Sequence, residues 1–208
     1  MKRRILILAP HTDDGELGCG GSIAKYLEET PDVFYLAAST CRRSLPEGWP
    51  PDALEKEVKN ATKVLGVAES NLILLDYDVR RFKETRQQIL EDLIRLKNDL
   101  KPDLVFVPSP TDIHQDHQVI SEEGLRAFKN SSILGYEMPW NNVSFNTRAF
   151  IKLEKHHVEK KVQALLCYKS QLHRSYVNEQ FVYSLATVRG VQMGAQYAEA
   201  FEVVRYII

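Results

Sequence analysis

The sequence predicts an α/β fold: a Rossmann-like, doubly wound and mostly parallel sheet with helices on both faces and a C-terminal elaboration, with residues 1–208 forming one domain. Three observations predict it. Apolar runs of strand length recur along the chain, and they alternate with segments whose apolar residues repeat at helical spacing. Two of these runs end directly in turns rich in His and Asp, where an open parallel sheet keeps its ligands. With 208 residues and 44% hydrophobic content, the chain can bury a sizeable core.

The strand-like runs are Ile5–Leu8, Val33–Ala38, Leu72–Leu75, Leu104–Val107 and Ile133–Tyr136. Between the second and third, Leu54, Val58, Ala61 and Leu65 fall at i, i+4, i+7 and i+11 of a helix that Gly66 ends. Ile89, Leu93, Leu96 and Leu100 repeat the pattern before Pro102 stops it. After Tyr136 the rhythm changes to a polar and aromatic loop, Glu137 to Asn142, followed by a strand near Ala149–Leu153. A helix with Val158, Val162 and Leu165 comes next, then a helical segment around Phe181–Met193. The alternation in Phe201–Tyr206 predicts a half-buried final strand.

Twenty-seven basic against 28 acidic side chains give a net charge of −1 with no long run of either sign. That balance argues against nucleic acid or an anionic membrane as partner and for a small-molecule substrate. No stretch reaches the ~18 apolar residues of a membrane span, and Met1-Lys2-Arg3-Arg4 leads into a strand rather than a signal peptide. Three widely spaced cysteines, Cys19, Cys41 and Cys167, form no CxxC pair. An odd, scattered set predicts a reducing cytoplasm and no disulfide framework.

The chemistry lies in the two turns. Pro10-His11-Thr12-Asp13-Asp14 leaves the first strand, and Asp112-Ile113-His114-Gln115-Asp116-His117 follows the fourth, so both reach one edge of the sheet. Two imidazoles and a carboxylate suit a divalent ion such as Zn²⁺ with one position left for water. His11, Asp14 and His117 are the predicted ligands. Asp13 then stands beside the metal as general base for attack of water on a carbonyl. His114 stands across from it as imidazolium, donating to the oxyanion and protonating the departing amine. Asp116 is expected to orient either His114 or His117.

These residues resemble the PIG-L/LmbE-like family of zinc-dependent N-acetyl sugar deacetylases, whose motifs run Ala-His-Pro-Asp-Asp-Glu, then Leu-Gly-Cys-Gly-Gly, and later His-x-Asp-His. The matches here are Pro10 to Asp14, Leu17 to Gly21 and His114 to His117. Further likeness lies in Glu57 and Ala61, Lys161-x-x-Ala164-Leu165, Tyr168-x-Ser170-Gln171 and Tyr197 to Phe201, so it covers nearly the whole chain. The resemblance implies zinc on His11, Asp14 and His117, Asp13 as base, His114 on the oxyanion, removal of an N-acetyl group from an N-acetylglucosamine-type sugar, and a possible homo-oligomer. Departures are Thr12 for the usual Pro, Gly15 for Glu, and Leu54 for a frequent Arg. Ser39 to Arg43 also lacks the common Gly-rich run. Arg42 or Arg43 is expected to take over contacts to a phosphate or hydroxyls. Trp140, in the loop from Glu137 to Thr147, is expected at a substrate rim or a subunit contact.

Two rivals are weaker. A non-catalytic nucleotide-binding module would use Gly18-Cys19-Gly20-Gly21 as a phosphate cradle, but Ile23 stands where GxGxxG needs its last glycine. Close helix-to-strand packing explains the glycines better, with Cys19 filling space in a tight turn. A Mg²⁺ module would use oxygen ligands alone, which His11 and His117 contradict. His156-His157 reads as an exposed helix start without a partner, and His173-Arg174 as surface or rim.

Overall fold

The computed structural model describes residues 3–208, so Met1 and Lys2 of the amino-terminal run lie outside the described residues. One sheet contains β1 (Ile5–Ala9), β2 (Val33–Ala37), β3 (Leu72–Leu74), β4 (Leu104–Pro108), β5 (Ser132–Tyr136), β6 (Ala149–Leu153) and β7 (Tyr197–Arg205). Their order is β3-β2-β1-β4-β5-β7-β6. The first five pair in parallel, while β7 runs antiparallel between β5 and β6. Strand order reverses between β1 and β4, and the crevice beyond their carboxyl ends is where such a sheet binds ligands.

Alternation along β1 divides the core in two. Ile5, Ile7 and Ala9 pack toward α1 (Asp14–Glu29), α2 (Ala53–Leu65) and α5 (Lys155–Leu165), whereas Leu6 and Leu8 pack toward α3 (Arg86–Leu100) and α4 (Gln115–Ala127). Both faces of the sheet are therefore covered, as the near-continuous apolar strands require. The last helix, α6 (Glu179–Met193), contributes Val182 and Ala186 to the first core. No helix among the described residues is long and apolar enough to cross a membrane.

The glycine segment corrects one expectation. It is a helix rather than a turn, since α1 starts at Asp14 and continues through it with a kink at Cys19 (φ −148°, ψ 26°). A Cβ on Gly15 would enter the Tyr35 ring, and one on Gly18 would enter the Tyr136 ring. The glycines therefore serve close packing. Gly18→Ala should cost about 1–3 kcal/mol of unfolding free energy, because Tyr136 is fully buried and cannot yield; an unchanged urea midpoint would contradict this packing role.

The kink leaves the Gly21 and Ser22 N–H groups facing Glu199 of β7. They donate to its carboxylate at 3.0 and 2.7 Å, with the Lys161 Nζ at 2.7 Å balancing the charge. This buried Glu199 explains why the final strand starts earlier than its alternation predicts. Polar in sequence but buried in the fold, it breaks the pattern that marks Phe201–Tyr206. Beyond Glu202 the strand is partly exposed, Val203 included, and its register with β5 shifts at Ile133/Leu134.

Candidate metal centre and active site

The β1 and β4 turns meet in a cavity of about 270 Å³ lined by His11, Asp13, Asp14, His114, His117 and Trp140, together with Thr12, Leu54, Arg80, Arg174 and Tyr176. Within it, Asp14 Oδ2 lies 3.0 Å from His11 Nδ1 and 3.2 Å from His117 Nε2, and the two nitrogens are 3.3 Å apart. A tetrahedron with metal–ligand bonds of about 2.0–2.1 Å has edges of about 3.3 Å, so the three predicted ligand atoms have the spacing of one face.

The outward nitrogens of both rings are held by carboxylates. His11 Nε2 is 3.0 Å from Asp116 Oδ2, and His117 Nδ1 is 2.7 Å from Asp112 Oδ2. With the ring protons donated to those carboxylates, the free lone pairs are His11 Nδ1 and His117 Nε2, the atoms that converge. The donor set therefore fits a divalent transition ion.

This geometry corrects the role expected of the Asp116 carboxylate, which orients neither His114 nor His117. It supports His11 and also accepts the Arg80 N–H at 2.6 Å, in a segment where Arg80 adopts a left-handed φ of 66°. Asp112 serves His117 instead, and its other oxygen accepts the His114 N–H at 2.8 Å. We expect Asp112→Asn and Asp116→Asn each to weaken metal affinity by about 10–100-fold with the fold intact; an unchanged affinity in competition with a chromogenic chelator would refute the support role.

His114 caps α4, its Nδ1 accepting the Asp116 backbone N–H at 3.2 Å. A neutral ring then carries its proton on Nε2. Burial and the neighbouring His117 and His11 lower its pKa to about 4, so at neutral pH His114 is an uncharged donor rather than the expected imidazolium. Asp13 contrasts with Asp14. Burial, together with the Asp14 charge, raises Asp13 to about 6, and among the described residues no other residue donates a hydrogen bond to its carboxylate. Asp14 is buried too, but the charges of His117 and His11 outweigh burial and hold it well below the usual range.

The loop carrying both aspartates is clamped from beneath. Tyr35 and Tyr168 hydroxyls donate to the Thr12 carbonyl at 2.9 and 2.7 Å and also contact the fully buried Glu16, which burial pushes up to about 8. Sequence reasoning assigns Glu16 and Asp112 no role. Both are polar residues beside a motif, and that is the only signal either offers.

Arg42 and Arg43 do not line the cavity. They sit exposed on the turn after β2, Arg42 against Glu55 and Asp76 and Arg43 against Asp78. The arginines among the lining residues are instead Arg80 and Arg174. Arg174 donates to Gln171 Oε1 and to the Tyr176 hydroxyl, both at 2.6 Å, and Tyr176 stacks on Trp140 with centroids 3.8 Å apart and planes 7° off parallel.

Comparison with known proteins bears on the family to which the chain belongs. The family described as PIG-L, GlcNAc-PI de-N-acetylase, matches residues 6–128. The uncharacterized deacetylase YaiS of Escherichia coli K12 is 31% identical, covering 81% of this chain and 92% of its own length. A probable N-acetyl-alpha-D-glucosaminyl L-malate deacetylase 2 of Bacillus anthracis is 27% identical, covering 82% of each. Among solved structures, the 4-carboxy-2-hydroxymuconate hydratase GalB of Pseudomonas putida KT2440 superposes with a TM-score of 0.80 at 20% identity, over 99% of this chain and 98% of that one. At that identity the likeness speaks for the fold alone, on which different chemistries are built. The family match covers more than half of the chain and YaiS exceeds 30% identity over four-fifths of it, so this chain belongs to the PIG-L family of de-N-acetylases.

Proposed function

We propose that the protein is a metal-dependent hydrolase, zinc being the expected ion, that removes the N-acetyl group from an N-acetylglucosamine-type sugar and releases acetate and a primary amine. The observation that carries this reading is the three-atom face of His11, Asp14 and His117 with the Asp13 carboxylate and the His114 donor in the same cavity. A divalent ion held there supplies Lewis acidity and a nucleophile drawn from water at neutral pH. Asp13, ionised near pH 7, accepts the proton of the attacking water. The His114 Nε2–H then meets the carbonyl oxygen as it gains negative charge. Because His114 is neutral and has no spare proton, the proton for the departing amine comes back from Asp13.

Substrate preference follows from the rim. Trp140 and Tyr176 offer an aromatic face for a sugar ring. Among the described residues neither Arg80 nor Arg174 has a carboxylate partner within ion-pair distance, which favours an acidic aglycone, in keeping with the malate-bearing substrate in the name of the Bacillus anthracis relative. Acetate release by metal-replete protein should be measured across free N-acetylglucosamine, neutral glycosides and phosphate- or carboxylate-bearing glycosides. No release from any of them would overturn the reading.

Metal uptake should be pH-dependent. Burial disfavours a charged His11 or His117, but Asp14 with Asp116 raises His11 to about 9, and Asp14 with Asp112 raises His117 to about 10. The metal must displace those protons at pH 7, so affinity should rise about tenfold or more per pH unit up to about pH 9. Raised folded-state values also mean that the metal-free fold benefits from these charges below the ordinary imidazole pKa. It loses that benefit as pH climbs through about 9–10. Calorimetry in two buffers of different ionisation enthalpy should show at least one proton released per metal at pH 7, and zero release would contradict the assignment.

A further inference from the structure

Away from the cavity, the packing of α1 against α5 assembles a second group of ligand-type side chains. Glu28, near the end of α1, places Oε1 2.8 Å from His156 Nε2 and Oε2 3.1 Å from His157 Nε2. The ligand atoms of all three residues lie within 4.8 Å of one another. His157 is not the exposed helix residue that the sequence suggests; it is 2% accessible, and its Nε2 is buried without a hydrogen-bond partner, because Glu28 Oε2 approaches it off the hydrogen-bonding direction. A buried ring nitrogen set against a carboxylate and a second imidazole, with no hydrogen bond of good geometry, is costly. His156 and Glu28 are about half exposed, so an ion can arrive from solvent.

We propose that Glu28, His156 and His157 form a second site, for a late divalent transition ion such as Zn²⁺ or Ni²⁺, that ties the end of α1 to the start of α5. Two imidazole nitrogens and one carboxylate oxygen select such ions over Mg²⁺ or Ca²⁺, and water completes the coordination. One proton must move on loading. His157 Nδ1 accepts the Glu154 N–H at 3.0 Å, so the neutral ring carries its proton on Nε2. Coordination through Nε2 requires that proton on Nδ1, which releases the Glu154 N–H. Glu154 lies at the helix start, where N–H groups have no partner within the helix.

Metal-stripped full-length protein titrated with Zn²⁺ should bind one more equivalent than either His156→Ala or Glu28→Gln, whatever the cavity binds. The extra equivalent should raise the thermal midpoint of the unaltered protein only. Both substitutions are at partly exposed positions, and unchanged midpoints of the metal-free variants would establish that they fold. The same stoichiometry in all three proteins overturns the proposal. As a second measurement, ¹⁵N spectra should show the His157 ring protonated at Nε2 without metal and at Nδ1 with it. A His157 ring insensitive to Zn²⁺ beyond the cavity's equivalent also overturns it.

Discussion

Asp13→Asn should retain a full equivalent of metal and lose turnover by about 10²–10⁴-fold, the usual worth of a positioned general base. Asp14→Asn, one residue along, should instead bind metal poorly. The two side chains are chemically identical, but Asp14 Oδ2 is within 3.2 Å of both converging imidazole nitrogens, whereas Asp13 lines the cavity and accepts no hydrogen bond from another described residue. The amide can neither take the proton from water nor return it to the amine. Metal analysis beside single-turnover acetate release separates the variants, and a metal-free Asp13→Asn protein would reverse the roles.

His114→Ala is expected to cost ~2.7–4 kcal/mol of transition-state stabilisation, the range measured for a removed oxyanion donor, again with metal retained. The neutral state of the ring sharpens this expectation. A donor that stays uncharged near neutrality contributes no titration there, so the acidic limb of the rate profile should follow protonation of Asp13 and persist in the variant's residual activity. Losing that limb with His114 would mean that the imidazole is the titrating group. Replacing His114 also removes the acceptor for the Asp116 N–H, so His11 support must be checked through metal affinity in the same protein.

Much of the architecture is legible without coordinates. The apolar runs at β1, β2, β4 and β5 match their strands to within a residue or so, because strands buried on both faces need continuous apolar sequence. The helices α2 and α3 follow from their spacing of apolar residues. What escapes this logic is polar and buried. Glu199 hides the start of β7, since a carboxylate under helix N–H groups looks like a surface residue in sequence. The glycines of α1 resemble a turn until Tyr35 and Tyr136 are seen filling the space beside them.

The division runs the same way within the site. Local order alone determines that His11, Asp13, Asp14, His114 and His117 gather at one place, because each cluster is bound to a strand end and a parallel sheet brings its carboxyl ends to one edge. Which carboxylate serves which imidazole is decided only by tertiary structure. Asp116 and His117 are adjacent, but successive residues on a helix point about 100° apart. Asp116 therefore reaches back to His11 and the Arg80 segment, while His117 turns to Asp14 and Asp112. The same holds for Arg42 and Arg43, which sequence places near the ligand edge but nearby carboxylates hold on the surface, leaving Arg80 and Arg174 at the cavity. Backbone period is written locally and can be read; side-chain pairing between distant segments depends on how their elements pack, and only the folded chain contains that.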